Sequence, residues 1–211
     1  MDENQEYLTN QLITYIGNKR SLINEIENQV KECVLLLKKP KCICVDLFSG
    51  SGVVSRMLKK YSSVLIANDL EEYAYLLNQC YLSNKEDFDT NTYNDFKRQI
   101  DIEFDKLIYS GYEGIISQNY APKDDNNIKK GERVFYTRDN ALRIDVYRKL
   151  IDDIVDDNYK KFFLAPLLTE CSIHTNTSGV FKGFYKDKRT GIGSFGKKEK
   201  NALSRITGQI Q

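Results

Sequence analysis

The spacing of apolar positions changes period along the first third of the chain, and each change marks an element. From Ser21 to Leu37, the residues Leu22, Ile26, Val30, Cys33, Val34 and Leu37 recur at helical spacing, with Pro40 just beyond the end, so a helix packing on a sheet is predicted there. Cys42 to Leu47 is a short continuous apolar run, and Val64 to Asp69 is a second one that ends on a carboxylate; both read as strands. Val53 to Tyr61 and Glu71 to Asn84 read as helices following the two strands. Strand, helix, strand, helix implies a parallel pair joined by a right-handed crossover. A weaker strand is predicted at 133–137. A doubly wound sheet wants five or more strands, so the sheet is expected to be incomplete, its remaining strands lying past Gln211 in a longer parent or hidden from the pattern.

Beyond this α/β start the pattern turns helical and polar. From Glu86 to Asp105 seven acidic residues stand against Lys97 and Arg98, while Tyr93, Phe96, Ile100, Phe104 and Leu107 keep one helical face. Ser117 to Gly131 is polar and aperiodic and reads as a long loop. Asp139 is placed to cap a helix from Asn140 to about Ile154, and Tyr159 to Ile173 reads as a second helix that Pro166 should kink or open at its start. The expected organisation is therefore 1–84 as the first part of an α/β domain, 85–180 as a mostly helical inserted subdomain, and 181–211 as a separate basic segment. No internal repeat is visible.

Composition narrows the picture in three respects. At 41% hydrophobic and 29% charged the chain is an ordinary globular one, with no run of 18 apolar residues and no secretory segment, so no membrane role and a cytoplasmic location are expected. The five cysteines (33, 42, 44, 80, 171) contain no Cys-x-x-Cys pair, and Cys42 and Cys44 fall on one strand face, which suits packing and implies no metal site. His174 is the only histidine and reads as a helix-end or core residue, which argues against a histidine-based triad.

Charge is unevenly spread. The net charge is +1, yet Phe181 to Gln211 holds eight basic residues against Asp187 and Glu199, leaving the first 180 residues at −5. Lys182, Lys186, Lys188 and Arg189, interleaved with Phe181, Phe184, Tyr185 and Phe195, make a candidate phosphate-tracking surface for double-stranded DNA, with the aromatics as wedges or stacking faces. A solvated basic tail would share the composition. Gly183, Gly191, Gly193 and Gly196 favour a flexible loop that orders on DNA.

The candidate chemistry sits at Asp46-Leu47-Phe48-Ser49-Gly50-Ser51-Gly52, where an apolar run stops at an acid and turns through two spaced glycines. Such a turn lets a ligand approach the backbone, and the helix opening at Val53 would aim unpaired N–H groups at it. A tight strand-to-helix turn without a ligand would use the same residues. Asp69 follows Gly52 by 17 residues, near the spacing of a ribose-binding acid, and could also cap the helix near Glu71; the two roles can coexist. Ser55 occupies the third position of Gly-x-Gly-x-x-Gly, so the nicotinamide fingerprint is not completed.

Asp46, Phe48, Gly50 and Gly52 form Asp-x-Phe-x-Gly-x-Gly, which resembles motif I of S-adenosylmethionine-dependent DNA methyltransferases. Tyr15-Ile16-Gly17-Asn18-Lys19 resembles the Tyr-x-Gly-x-Lys segment opening the Dam-like adenine-specific branch, although a glycine turn with a solvated lysine would read the same way. Arg133 to Thr137, Asn140 to Asp145, Asn176-Thr177-Ser178-Gly179 through Phe181 to Lys186, and Ser204 to Gly208 resemble stretches of a restriction–modification group within that branch. The ordered set covers nearly the whole chain.

The resemblance implies a Rossmann-like α/β methyltransferase fold and methyl transfer from S-adenosylmethionine to the exocyclic amino group of a flipped adenine, within a system that includes a cognate restriction endonuclease. It implies that Tyr15, Gly17 and Lys19 lie near the methionine end of the cofactor, that Gly50 and Gly52 shape the turn, that Phe48 lines the pocket, and that Asp69 accepts the ribose hydroxyls. Asp46 would orient the loop or approach the methionine ammonium. The sequence departs from the family in one respect. The family's Asp-Pro-Pro-Tyr type catalytic motif is missing, since the only prolines are Pro40, Pro122 and Pro166. The motif comes last in the family order, so the chain is expected to be a catalytically incomplete fragment, and no catalytic residue is assigned. Two other readings stand beside this one: a non-enzymatic DNA-binding or partner module that retains the fold, and a methyltransferase acting on RNA or a small molecule.

Overall fold

The computed structural model describes residues 4–14, 17–178, 181–195 and 200–208. It separates into two compact units, Met1–Phe88 and Asp89–Gln211. The first contains α1 (Gln5–Thr9), a 3-10 turn at Arg20–Leu22, α2 (Ile23–Leu37), β1 (Cys42–Asp46), α3 (Val53–Lys59), β2 (Ser62–Ala67), α4 (Glu72–Tyr81) and a 3-10 turn at Lys85–Asp87. The second contains α5 (Thr90–Tyr109), α6 (Ile115–Asn119), α7 (Arg138–Ile154), α8 (Asp157–Ile173) and α9 (Lys200–Leu203).

In the first unit β1 and β2 pair in parallel, with Ile43 opposite Val64 and Val45 opposite Ile66. Val53, Met57, Ala74 and Leu77 from α3 and α4 are buried together with Leu8, Leu12, Ile13 and Ile23. Arg56 is also buried, only 2% exposed. Its guanidinium donates to the Asn10 carbonyl at 3.0 Å and lies over the Tyr7 ring, tying α1 to α3, and burial lowers its pKa. Lys59 closes the end of α4 by donating to the carbonyls of Leu82 and Ser83. The Glu27 carboxylate accepts from Lys60 and Tyr61; these bonds lower its pKa, while burial and the carboxylate push the Tyr61 phenol up to about 12.

The opposite face of the strand pair is apolar and exposed. Ile43, 71% exposed, lies there with Val45, Val64 and Ile66. Parallel strands are ordinarily covered on both faces, and β-branched side chains such as these are common in a covered sheet.

The second unit is built on the acidic helix. Tyr93, Ile100 and Phe104 of α5 are buried, Tyr93 stacks on Phe163 at 4.6 Å between ring centroids, and Phe104 meets Tyr147 at 4.4 Å. Val146, Leu150, Phe162 and Leu167 complete this core. Its irregular segments are held by buried polar side chains. Asp145 accepts from the backbone N–H groups of Gly114, Ile116 and Ser117 and so fixes the start of α6. Asn140 uses both ends of its amide, donating to the Ser204 carbonyl and accepting from Ile206 N–H. Glu170 accepts from Thr207 N–H, Thr207 Oγ1 and Gly208 N–H at 2.6 to 2.9 Å. Residues 204–208 are thereby laid across α7 and α8.

Several expectations are corrected. Residues 133–137 form no strand: Phe135 and Tyr136 N–H both donate to the Tyr120 carbonyl, and the Phe135 carbonyl accepts from Asn176, so the segment pairs with loops. Thr137, not Asp139, caps α7, because its hydroxyl reaches Asn140 N–H, while Asp139 pairs with Arg143 in the first turn. Pro166 does not open α8, which runs from Asp157 to Ile173 with the proline buried inside it. The 117–131 stretch begins in α6 and is then organised by carboxylates: Asp125 accepts from Arg138 N–H, and Glu132 from Lys123 and Lys129 N–H. His174 is a helix-end residue, as expected, with Nδ1 hydrogen-bonded to the Asn201 carbonyl.

Glu170→Ala should strip three donors of their acceptor and destabilise the second unit by roughly 2 to 4 kcal/mol, measured by urea unfolding. Hydrogen exchange should show Thr207 and Gly208 amides losing protection before the centre of α7 does.

Candidate functional site

The glycine turn stands at the end of the two parallel strands, where the chain must leave β1 and reverse into α3. Gly50 and Gly52 both have positive φ, 52° and 75°, a backbone that other residues adopt only under strain. Gly52 has a second reason to be glycine: a Cβ there would lie 2.4 Å from Asn78 Oδ1.

The turn is pinned from β2 and α4. Asp69 accepts the Gly50 N–H on Oδ2 at 2.7 Å and the Glu71 N–H on Oδ1 at 3.1 Å. It therefore bridges the glycine turn and the approach to α4. Ser49 N–H donates to the Asn68 carbonyl, and Asp46 accepts the Ser55 hydroxyl at 2.6 Å, joining the end of β1 to α3. Asn78 donates to Ser49 Oγ and to the Ala74 carbonyl, while its buried Oδ1 has no hydrogen-bond partner among the described residues. Sequence reading missed Asn78; its only signal was an amide among the inward positions of the helix after Asp69.

This arrangement suits a nucleoside. Each Asp69 oxygen already takes one N–H and keeps acceptor capacity for a hydroxyl. Phe48, 88% exposed next to the turn, offers an aromatic face. Asp46, Gly50, Gly52 and Asp69 thus belong to one hydrogen-bonded assembly. Gly17 and Lys19 form a turn of their own: Gly17 has φ 81°, and the exposed Lys19 ammonium donates to the Gly17 carbonyl at 2.7 Å, leaving two of its protons uncommitted by that bond. Tyr15 lies outside the described residues.

A second assembly lies in the other unit. Two antiparallel bridges, Thr177 with Phe184 and Lys186 with Gly193, stand where a flexible loop was expected. Asp187 organises the tip by accepting from Arg189 N–H, Thr190 N–H and the Thr190 hydroxyl, contacts that lower its pKa. Asn176, fully buried, holds the base: its side-chain amide donates to the carbonyls of Val134 at 2.8 Å and Ser194 at 3.0 Å, and its own N–H donates to the Phe135 carbonyl. Gly193 fits closely, since a Cβ there would meet Val134 at 2.3 Å.

This hairpin presents Lys182, Lys186, Lys188 and Arg189 to solvent. Phe181, 52% exposed, stacks on the buried Phe135 at 4.4 Å, and the Lys186 ammonium sits 4.9 Å from the Phe184 ring. Lys197 and Lys198 lie outside the described residues, and Arg205 pairs with Asp139. Nearby, a cleft of about 680 Å³ is lined in part by Lys123, Arg133 and Arg138; the sequence placed Arg133 at the start of a family-like stretch, but no binding role was read for any of the three.

Among the described residues, no group of three or more His, Cys, Asp or Glu could hold a metal ion, and no helix is long and apolar enough to cross a membrane.

A family model and curated relatives both match the chain. The family model described as D12 class N6 adenine-specific DNA methyltransferase matches residues 15–206. The chain is 28% identical over 185 residues to the type II methyltransferase M.NlaIII of Neisseria lactamica, an alignment covering 83% of this chain and 50% of that protein. It is 30% identical over 190 residues to the type II methyltransferase M.CviAII of Paramecium bursaria Chlorella virus 1, covering 85% of this chain and 52% of that one. Against the modification methylase LlaI of Lactococcus lactis subsp. lactis the identity is 26%, over 82% of this chain and 27% of the relative. The chain thus spans about half the length, or less, of these relatives. No solved structure matches it. With nearly its whole length matched in order, glycine turn and hairpin included, the chain belongs to the D12 class N6 adenine-specific DNA methyltransferases.

Proposed function

We propose that this chain is the cofactor-binding and DNA-facing part of a restriction–modification methyltransferase that transfers a methyl group from S-adenosylmethionine to the exocyclic amino group of adenine in double-stranded DNA. The observation that carries the reading is the Asp69 bridge. A carboxylate at the end of β2 fixes a two-glycine turn at the end of β1, in a chain of the adenine methyltransferase family.

S-adenosylmethionine, when bound, supplies an electrophilic methyl group on a sulfonium, so the protein's work is orientation. In this reading Asp69 accepts the ribose hydroxyls while keeping the turn in shape through Gly50 N–H. Phe48 covers the nucleoside, and Asp46, already anchoring α3 through Ser55, orients the turn toward the methionine end. Tyr15, Gly17 and Lys19 would hold that same end, the ammonium of Lys19 being a suitable partner for an amino acid carboxylate. No residue of the chain is assigned a catalytic role.

The exposed apolar face of β1 and β2 supports placing this pair in a larger Rossmann-like sheet. Ile43, Val45, Val64 and Ile66 have the composition of a covered layer, and the chain spans about half the length, or less, of the relatives. Lys182, Lys186, Lys188 and Arg189 follow duplex phosphates, with Phe181 as the stacking face. The five cysteines are free thiols, which accords with a cytoplasmic enzyme acting beside a cognate restriction endonuclease.

Calorimetry of the chain with S-adenosylmethionine should show saturable binding, weakened by about 1 to 3 kcal/mol in Asp69→Ala through the lost acceptor and the loosened turn. Unchanged affinity in the variant would reduce Asp69 to a structural bridge.

Duplex binding, followed by fluorescence anisotropy, should fall steeply with salt. Neutralising Lys182, Lys186, Lys188 and Arg189 together should flatten the log–log slope by up to about 0.9 for each phosphate no longer neutralised. Salt-insensitive binding would exclude the hairpin as a phosphate surface. Duplex binding with no affinity for S-adenosylmethionine would favour a non-enzymatic module.

A further inference from the structure

Arg133 is a surface cation with no carboxylate partner among the described residues. Its guanidinium lies 5.5 Å from the centroid of the Tyr120 ring. The acids that line the same cleft are already engaged. Glu132 accepts the backbone N–H groups of Lys123 at 3.0 Å and Lys129 at 2.6 Å, which lower its pKa, and Glu113 is paired with Arg138. Arg138 is further committed to the Ser117 carbonyl. Glu132 itself stays ionised, so the lining, with Lys123, Arg133 and Arg138 against Glu113 and Glu132, carries a net charge of +1 in a space of about 680 Å³, and Arg133 is the cation that stands on a ring rather than against an acid.

Arg133 is also tied to the basic hairpin. Tyr120, beneath its guanidinium, is 5.9 Å from Phe181 and 5.7 Å from Phe135, between ring centroids. The Tyr120 carbonyl accepts from Phe135 and Tyr136 N–H, and the Phe135 carbonyl in turn accepts the N–H of Asn176, which holds the hairpin base. An aromatic row thus runs from Tyr120 through Phe181 and Phe135 to Phe184, with Arg133 at one end and Lys186 at the other. A planar guanidinium resting on a ring keeps its N–H fork preorganised for an oxyanion, a geometry suited to phosphate.

We propose that Arg133, with Lys123, is a second phosphate-binding point, which extends the DNA-facing surface from the hairpin across the Tyr120–Phe181 row into this cleft. The proposal rests on the reading of the hairpin as a DNA surface.

The test is the affinity of the chain for a random-sequence DNA duplex of about 20 base pairs, measured by fluorescence anisotropy over a series of salt concentrations. Arg133→Ala should weaken binding by roughly tenfold near 0.1 M salt and flatten the slope of log affinity against log salt by about 0.9, the release from one phosphate. Lys123→Ala should act in the same direction, and Arg133→Lys should keep the slope while losing part of the affinity. Thermal unfolding of each variant should match the unsubstituted chain, since both side chains are exposed. Steep salt dependence in the unsubstituted chain together with an unchanged slope in Arg133→Ala would overturn the proposal and leave the hairpin reading intact. No duplex binding by the unsubstituted chain would overturn both.

Discussion

A peptide group taken out of water must find a hydrogen-bond partner, at a cost of about 1 to 3 kcal/mol if it does not. Helices and strands meet that requirement internally, but the glycine turn, the hairpin base and the 204–208 segment cannot. In each of these places a buried or half-buried amide or carboxylate supplies the partner: Asp69 for Gly50, Asn176 for Val134 and Ser194, and Asn140 and Glu170 for the residues between Ser204 and Gly208. The segments proposed to touch cofactor and DNA are thus irregular in backbone yet determined in shape.

Asp69 uses one lone pair on each oxygen to define the turn and retains capacity for hydroxyl groups, so in the proposed function preorganisation and binding would draw on a single carboxylate. Asp187 plays the structural part alone at the hairpin tip, where it accepts from the chain between Arg189 and Thr190. One acid at the centre of a basic turn thereby holds the loop that displays the cations.

The strand pair of the first unit is covered on one face and exposed on the other. Its outer face carries β-branched side chains at Ile43, Val45, Val64 and Ile66, which in a parallel sheet belong beneath a second layer.

Local sequence determined the elements whose signals are themselves local: the helical period of α2, the two apolar runs that became β1 and β2, the glycine turn between β1 and α3, and the charge excess after Phe181. It also pointed to Asp46, Gly50, Gly52 and Asp69, because the spacing of turn and acid follows from a strand–helix–strand path. Tertiary structure decided what depends on partners distant in sequence. Residues 133–137 have strand composition but lie against Tyr120 and Asn176, so no ladder forms. Thr137 takes the cap from Asp139 because its hydroxyl meets Asn140 N–H. Spaced glycines suggested a flexible loop that orders on DNA, yet Asn176, bonded to residues 42 positions before it and 18 after it, holds the base of a bridged hairpin. Asn78 was invisible for the same reason: what it does depends on the turn that folding brings beside it, and no periodicity along the chain records that.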